Sequence, residues 1–171
     1  MSTESEFLKY SADKLEQSCA RIETCLDKLT PEQIWLRHAE NENAVGNLAL
    51  HLTGNVRQWI LGRVGGEPFE RDRDREFAAR GGAEPAELKQ RLRSAVDAAA
   101  ALIRVLPHDR LDERVTIQNY DITVLEAIYH VVEHFSGHTG QIIFATKFLI
   151  GEDLGFYRHL SQARAHAEKT P

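Results

Sequence analysis

Four long stretches of this chain repeat their apolar residues with the 3.6-residue period of a helix, and strand signals are scarce. That pattern constrains the fold more than any other feature, because each amphipathic helix must bury its stripe against another element. The first stretch runs from about Ser5 to Leu29, with Leu8, Leu15, Ile22, Leu26 and Leu29 as its stripe. Thr30-Pro31-Glu32-Gln33 then reads as the start of a short helix, with Thr as N-cap, Pro at the first position and Gln three after the cap. Polar Arg37 to Asn43 reads as a loop. The second long helix is expected from about Ala44 to Leu61, capped by Asn43 and ended by Gly62, Gly65 and Gly66. Gly66 to Ala83 is a polar connector with at most a turn or two of helix. The third long helix starts near Glu84-Pro85 and continues to Leu106, ending at Pro107, and its Ala98 to Ala101 run permits close helix contact. A second connector, His108 to Asp121, includes one short extended piece at Arg114 to Gln118. The fourth helix is expected from about Thr123 to Leu149, opened by a Thr123–Glu126 capping box and ended by Gly151. Phe156, Tyr157 and Leu160 would dock the tail on the body, with the last residues disordered. The expectation is an all-α four-helix bundle, a single domain over residues 1–171 with its core at about 5–150, a tail at 151–171, short extra helices and long connectors.

Composition excludes several classes. A chain of 171 residues with 42% hydrophobic and 27% charged content fits one soluble globular domain. The net charge of −5 argues against a nucleic-acid surface. The densest arginine run, Arg71 to Arg80, alternates with Asp and Glu and cancels locally. No stretch approaches the roughly 20 apolar residues of a membrane span, and Met1 to Tyr10 lacks the apolar core of a signal peptide. Cys19 and Cys25 stand six apart and form no CxxC pair, so no disulfide framework is expected and a cytoplasmic location fits.

The chemistry-bearing residues are histidines. His130, His134 and His138 lie on one helix at four-residue spacing, and neighbours four apart are displaced by only about 40° round the axis. Val131, Val132, Phe135, Ile142 and Ile143 place that helix in the core, where unpartnered imidazoles would be costly and a shared cation resolves the cost. His51 is the other histidine inside a helix, flanked by Leu50 and Leu52, and is the candidate third ligand with His134 and His138. Three imidazoles leave a coordination position open, as catalytic sites do. His130 is the rival for the third place; it stands about 12 Å along the helix from His138, so it reads as a supporting or structural residue. His38, His108, His159 and His166 fall in loops or the tail. Asn47 and Asn55 flank His51 at four-residue spacing and could orient it, and Gln141 could bond a ligand imidazole; for each, polar packing between helices is an equal alternative. Gly54, Gly137 and Gly140 point to close backbone approach where the second and fourth long helices cross. Trp59 reads as core. Glu133 adjoins the cluster in sequence but not on its helix face.

The pair His51-Leu52-x-Gly54-Asn55 and His134-x-x-x-His138-x-Gly140-Gln141, about 80 residues apart, resembles the DinB-like superfamily of bacterial four-helix bundles. The closest likeness is to the branch whose last helix reads His-x-x-x-His-Thr-Gly-Gln; related branches carry Arg where this chain has Thr139. The resemblance implies a divalent metal, zinc or nickel, held by His51, His134 and His138, and a homodimer paired through long helices. An exposed apolar stripe on the first or third helix would be its interface.

It also implies a metal-dependent enzyme acting on a small molecule, foremost a thiol-dependent S-transferase using a low-molecular-weight thiol, since characterised relatives include bacillithiol- and mycothiol-dependent transferases and isomerases. A metal-dependent hydrolase needs only the same three ligands and is the second expectation. A stress-related metal-binding and dimerisation module without turnover is the third.

Overall fold

The computed structural model describes residues 2–158. Helix α1, Thr3–Leu26, is capped by Ser2, whose side chain accepts from the Ser5 amide. It buries the anticipated stripe and ends a turn early, leaving Leu29 buried from a turn. The short helix α2, Pro31–Ile34, carries both halves of the Thr30–Gln33 capping box.

Helix α3, Val45–Val56, departs from expectation at both ends. Its N-cap is Ala44, not Asn43, and the side-chain oxygen of Asn47 accepts the Ala44 amide at 3.1 Å. At its C-terminal end the chain widens into a π-helix, Arg57–Val64, in which the Gly65 amide reaches back five residues to the Ile60 carbonyl at 2.8 Å. Gly62 is therefore inside the helical stretch and not its stop.

The first connector forms helix α4, Arg73–Ala78, capped by Asp72, within the turn or two anticipated. Helix α5 spans Pro85–Arg104 and is followed by a 3-10 turn, His108–Asp112. The second connector holds a hairpin where a single extended piece was expected. Strand β1, Arg114–Ile117, pairs antiparallel with β2, Tyr120–Thr123, setting Arg114 opposite Thr123 and Ile117 opposite Tyr120. Gln118 and Asn119 take φ of 50° and 70°, the left-handed pair that a tight two-residue turn demands. Gln-Asn lacks the glycine that usually announces such a turn.

Helix α6, Val124–Ile150, has the full Thr123–Glu126 capping box and stops at Gly151, whose φ of 68° is left-handed. α1 and α3 each pack against both α5 and α6, so the four long helices form a bundle in which α3 lies beside α6. Leu15, Ile22, Leu52, Leu92, Ile103 and Phe135 are fully buried at its centre. Arg93 pairs with Glu23, and Arg104 with Asp13 and Glu16, tying α5 to α1. Both cysteines are buried and unbridged. Among the described residues no helix is long and apolar enough to cross a membrane. Leu160, His159 and His166 lie outside the described residues.

Candidate metal centre

α3 and α6 bring three imidazoles to one point. His51 Nε2 is 3.1 Å from His134 Nε2, and His138 Nε2 is 3.2 Å from the same atom. One ligand atom from each lies within 4.8 Å of the other two, a group that could hold a metal ion. His134 and His138 meet because they are one turn apart on α6; His51 reaches them from the facing helix.

Three ring nitrogens converging through the same edge are poorly disposed toward one another, since each pair shares at most one proton. A cation accepts all three lone pairs at once, so the donor set fits an imidazole-ligated divalent ion. The surroundings favour the neutral form that ligation needs. Burial, followed by the like charges of His138 and His51, pushes His134 down to about 3. Burial also pushes His51 below the ordinary imidazole value, against the opposing pull of a hydrogen bond to Glu76.

The outer side of His51 is built from the connector. His51 Nδ1 faces Glu76 Oε2 at 3.1 Å, with Arg71 Nη2 at 2.9 Å from the same nitrogen; with Nε2 given to an ion, Nδ1 would carry the proton and donate it to Glu76. Arg71 donates to both Glu76 oxygens at 2.7 Å and to the His51 carbonyl at 3.1 Å. The Arg71 side chain is only 2% exposed, so this pair is buried. Burial would raise the Glu76 carboxyl, but the hydrogen bonds from His51 and Arg71 outweigh it and hold Glu76 below the usual range. Phe77 lies against the His51 ring, 4.5 Å between centroids, and Arg73 covers Phe77.

The other named residues divide. Gln141 Oε1 accepts from His138 Nδ1 at 2.7 Å. Asn47 makes no hydrogen bond to His51 among the described residues. It receives Arg37 at 2.6 Å and donates to the carbonyls of Glu76 and Ala79, each at 2.9 Å, so it anchors the segment that carries Glu76. Asn55 is buried, and its Oδ1 has no partner among the described residues. His130 stands outside the cluster, stacked on buried Trp59 at 4.2 Å and 5.6 Å from the His134 ring.

The glycine expectation needs correction. A Cβ at Gly54 would meet Glu76 Oε1 and Arg71 Nε, so the close approach there belongs to the connector and not to α6. A Cβ at Gly137 or Gly140 would meet nothing within 4 Å among the described residues, because that side of α6 faces outward.

Arg71, Glu76 and Phe77 do not stand out in the sequence, where the charges of the Arg71 to Arg80 run alternate and cancel locally. The available signal was Gly54 beside a presumptive ligand: a glycine inside an apolar helix marks a place where something must approach.

The chain was compared with known families, curated proteins and solved structures. Among solved structures, a conserved protein from Enterococcus faecalis has a similar fold, with a TM-score of 0.71 and 16% identity over 84% of this chain and 97% of that one. No curated protein matches the sequence. Residues 2–166 match the family described as protein of unknown function, DUF1572. With nearly its whole length matched, and a bundle to go with it, the chain belongs to the DUF1572 family, whose fold is DinB-like.

Proposed function

We propose that this protein binds one divalent metal ion, zinc or nickel, through His51, His134 and His138, and uses it as an enzyme on a small molecule, foremost as a thiol-dependent S-transferase. The observation that carries the reading is the convergence of three Nε2 atoms from two helices, with Glu76 and Gln141 set behind two of them. Outer acceptors of this kind orient ligand imidazoles and strengthen them as bases. A bound ion would supply Lewis acidity, lowering the pKa of a water or thiol in its open position toward neutrality.

The chain's own residues then divide the work. Glu76 holds the Nδ1 proton of His51 and Arg71 keeps Glu76 ionised; Gln141 does the same for His138 and lies on the outward side of α6, where it can meet a substrate. Burial holds His51 and His134 in the neutral form, so neither competes for the substrate's proton.

Isothermal calorimetry of the metal-loaded protein with a low-molecular-weight thiol tests the transferase. Saturable binding that vanishes in His138→Ala is expected. Ester or amide cleavage without added thiol would replace it with the hydrolase.

A separate observation bears on pairing, which the third reading, a metal-binding and dimerisation module, requires. The exposed large apolar residues gather on α6, where Leu125, Tyr129, Phe144 and Phe148 stand out. They are not a stripe on α1 or α5, the first and third long helices, where the sequence reading placed the dimer face. Phe144 and Phe148 are 74% and 69% exposed, an arrangement suited to a second copy of the chain across α6. A homodimer through this face is compatible with either the enzymatic or the non-catalytic reading.

A further inference from the structure

His134 is the candidate ligand whose far nitrogen has nothing to bond among the described residues. An imidazole that binds an ion through Nε2 keeps its proton on Nδ1 and must donate it. His51 donates to Glu76 and His138 to Gln141. His134 Nδ1 is buried and has no partner among the described residues. A buried donor left unmet costs about 1–3 kcal/mol.

An acceptor is left over on the facing helix. Asn55 is 3% exposed, and its Oδ1 is buried without a partner among the described residues. It follows His51 by one turn and precedes Trp59 by one turn. His51 meets His134, and Trp59 stacks on His130, one turn before His134, so α3 and α6 run past each other with Asn55 bracketed between the levels of His134 and His130. A third buried polar atom, Trp59 Nε1, is likewise without a partner. Two donors and one acceptor form a set that one water satisfies, accepting from both N–H groups and donating to the carboxamide oxygen.

Resting on the metal reading of the three histidines, we propose that Asn55 is the positioning residue of His134, receiving its Nδ1 proton through one buried water that Trp59 also holds. The sequence reading attached Asn55 to His51, but Glu76 already occupies that ring's Nδ1. Each of the three ligands would then have its own outer acceptor: Glu76, Asn55 and Gln141.

The test is zinc affinity by competition with a chromophoric chelator, in wild type, Asn55→Leu and Asn55→Asp. The leucine variant removes the acceptor at similar volume and is expected to bind zinc about 10- to 100-fold more weakly. The aspartate variant restores an acceptor and should recover affinity to within a few-fold of wild type. Imidazole 15N spectra of the zinc-loaded proteins provide the second readout. The slowly exchanging Nδ1–H of His134 should be present in wild type and Asn55→Asp and lost in Asn55→Leu, while the His51 and His138 signals persist. Wild-type affinity in Asn55→Leu, or no recovery in Asn55→Asp, overturns the role of Asn55 and leaves the metal centre standing. A wild type that binds no zinc or nickel overturns the metal reading itself. Should Asn55→Leu fail to fold, the 15N signal in wild type decides: rapid exchange of the His134 proton with solvent overturns the proposal.

Discussion

Gly54 and Glu76 exclude each other's alternatives. A Cβ on residue 54 would sit 2.0 Å from Glu76 Oε1, closer than real atoms approach, so the carboxylate reaches His51 only because residue 54 has no side chain. Gly54→Ala is therefore expected to displace Glu76 and weaken metal binding by about 10-fold or more without altering any ligand. Chelator competition measures it. Unchanged affinity would show that Glu76 does not support His51.

Removing Glu76 leaves Arg71 buried and unpaired. Glu76→Ala should destabilise the fold by about 3–5 kcal/mol, the range for breaking a buried ion pair from one side. Urea denaturation of the metal-free protein isolates this effect from metal loss. Cutting both partners, Glu76→Ala with Arg71→Met, should restore part of the stability but not the metal affinity.

Metal content itself is the broadest check. The purified protein is expected to carry about one equivalent of divalent ion per chain, and His51→Ala to lose most of it, by analogy with open three-histidine sites. His130→Ala, which leaves the cluster intact, should keep the ion.

Acid should loosen the metal-free protein before its carboxylates protonate. His51 and His134 are held below 6.5 in the folded state, His134 to about 3, whereas in the unfolded chain they titrate near their ordinary value. Between about pH 6.5 and 3 the unfolded state therefore binds more protons, and stability falls as pH falls through that window. The slope approaches about 1.4 kcal/mol per pH unit for each such histidine. Thermal melts of the metal-free protein at pH 7 and pH 5 should show a lower midpoint at pH 5. His134→Gln should flatten the difference.

The outward face of α6 gives a separate prediction. Phe144→Ser with Phe148→Ser should convert a dimer to a monomer in sedimentation velocity, with the metal retained. A wild type that sediments as a monomer removes the pairing proposal.

The helices were legible because their signals are local. Apolar spacing, the Thr30–Gln33 and Thr123–Glu126 boxes and Gly151 each act within a few residues, and each appears where the sequence places it. The convergence of His51 with His134 and His138 was legible for a related reason: core-facing helices leave few places for histidines. What stayed hidden depends on contacts between segments distant in sequence. Arg71 and Glu76 look like solvated charge until the connector folds over Gly54. Asn47 pairs with carbonyls some thirty residues away, which no spacing rule reaches. The π-helix after Val56 has no sequence mark, and the Gln118-Asn119 turn lacks the glycine that usually announces one.

The candidate ligands come from opposite ends of the fold's construction, since His51 and His134 stand 83 residues apart. An ion shared between them would act as a rivet, set only after the last long helix has docked. It would close a loop whose ends wander widely in the unfolded chain, which is where a cross-link restricts freedom most. Occupancy would then report completed assembly, and stripping the ion would expose the seam between α3 and α6 as the place where a protease first gains entry.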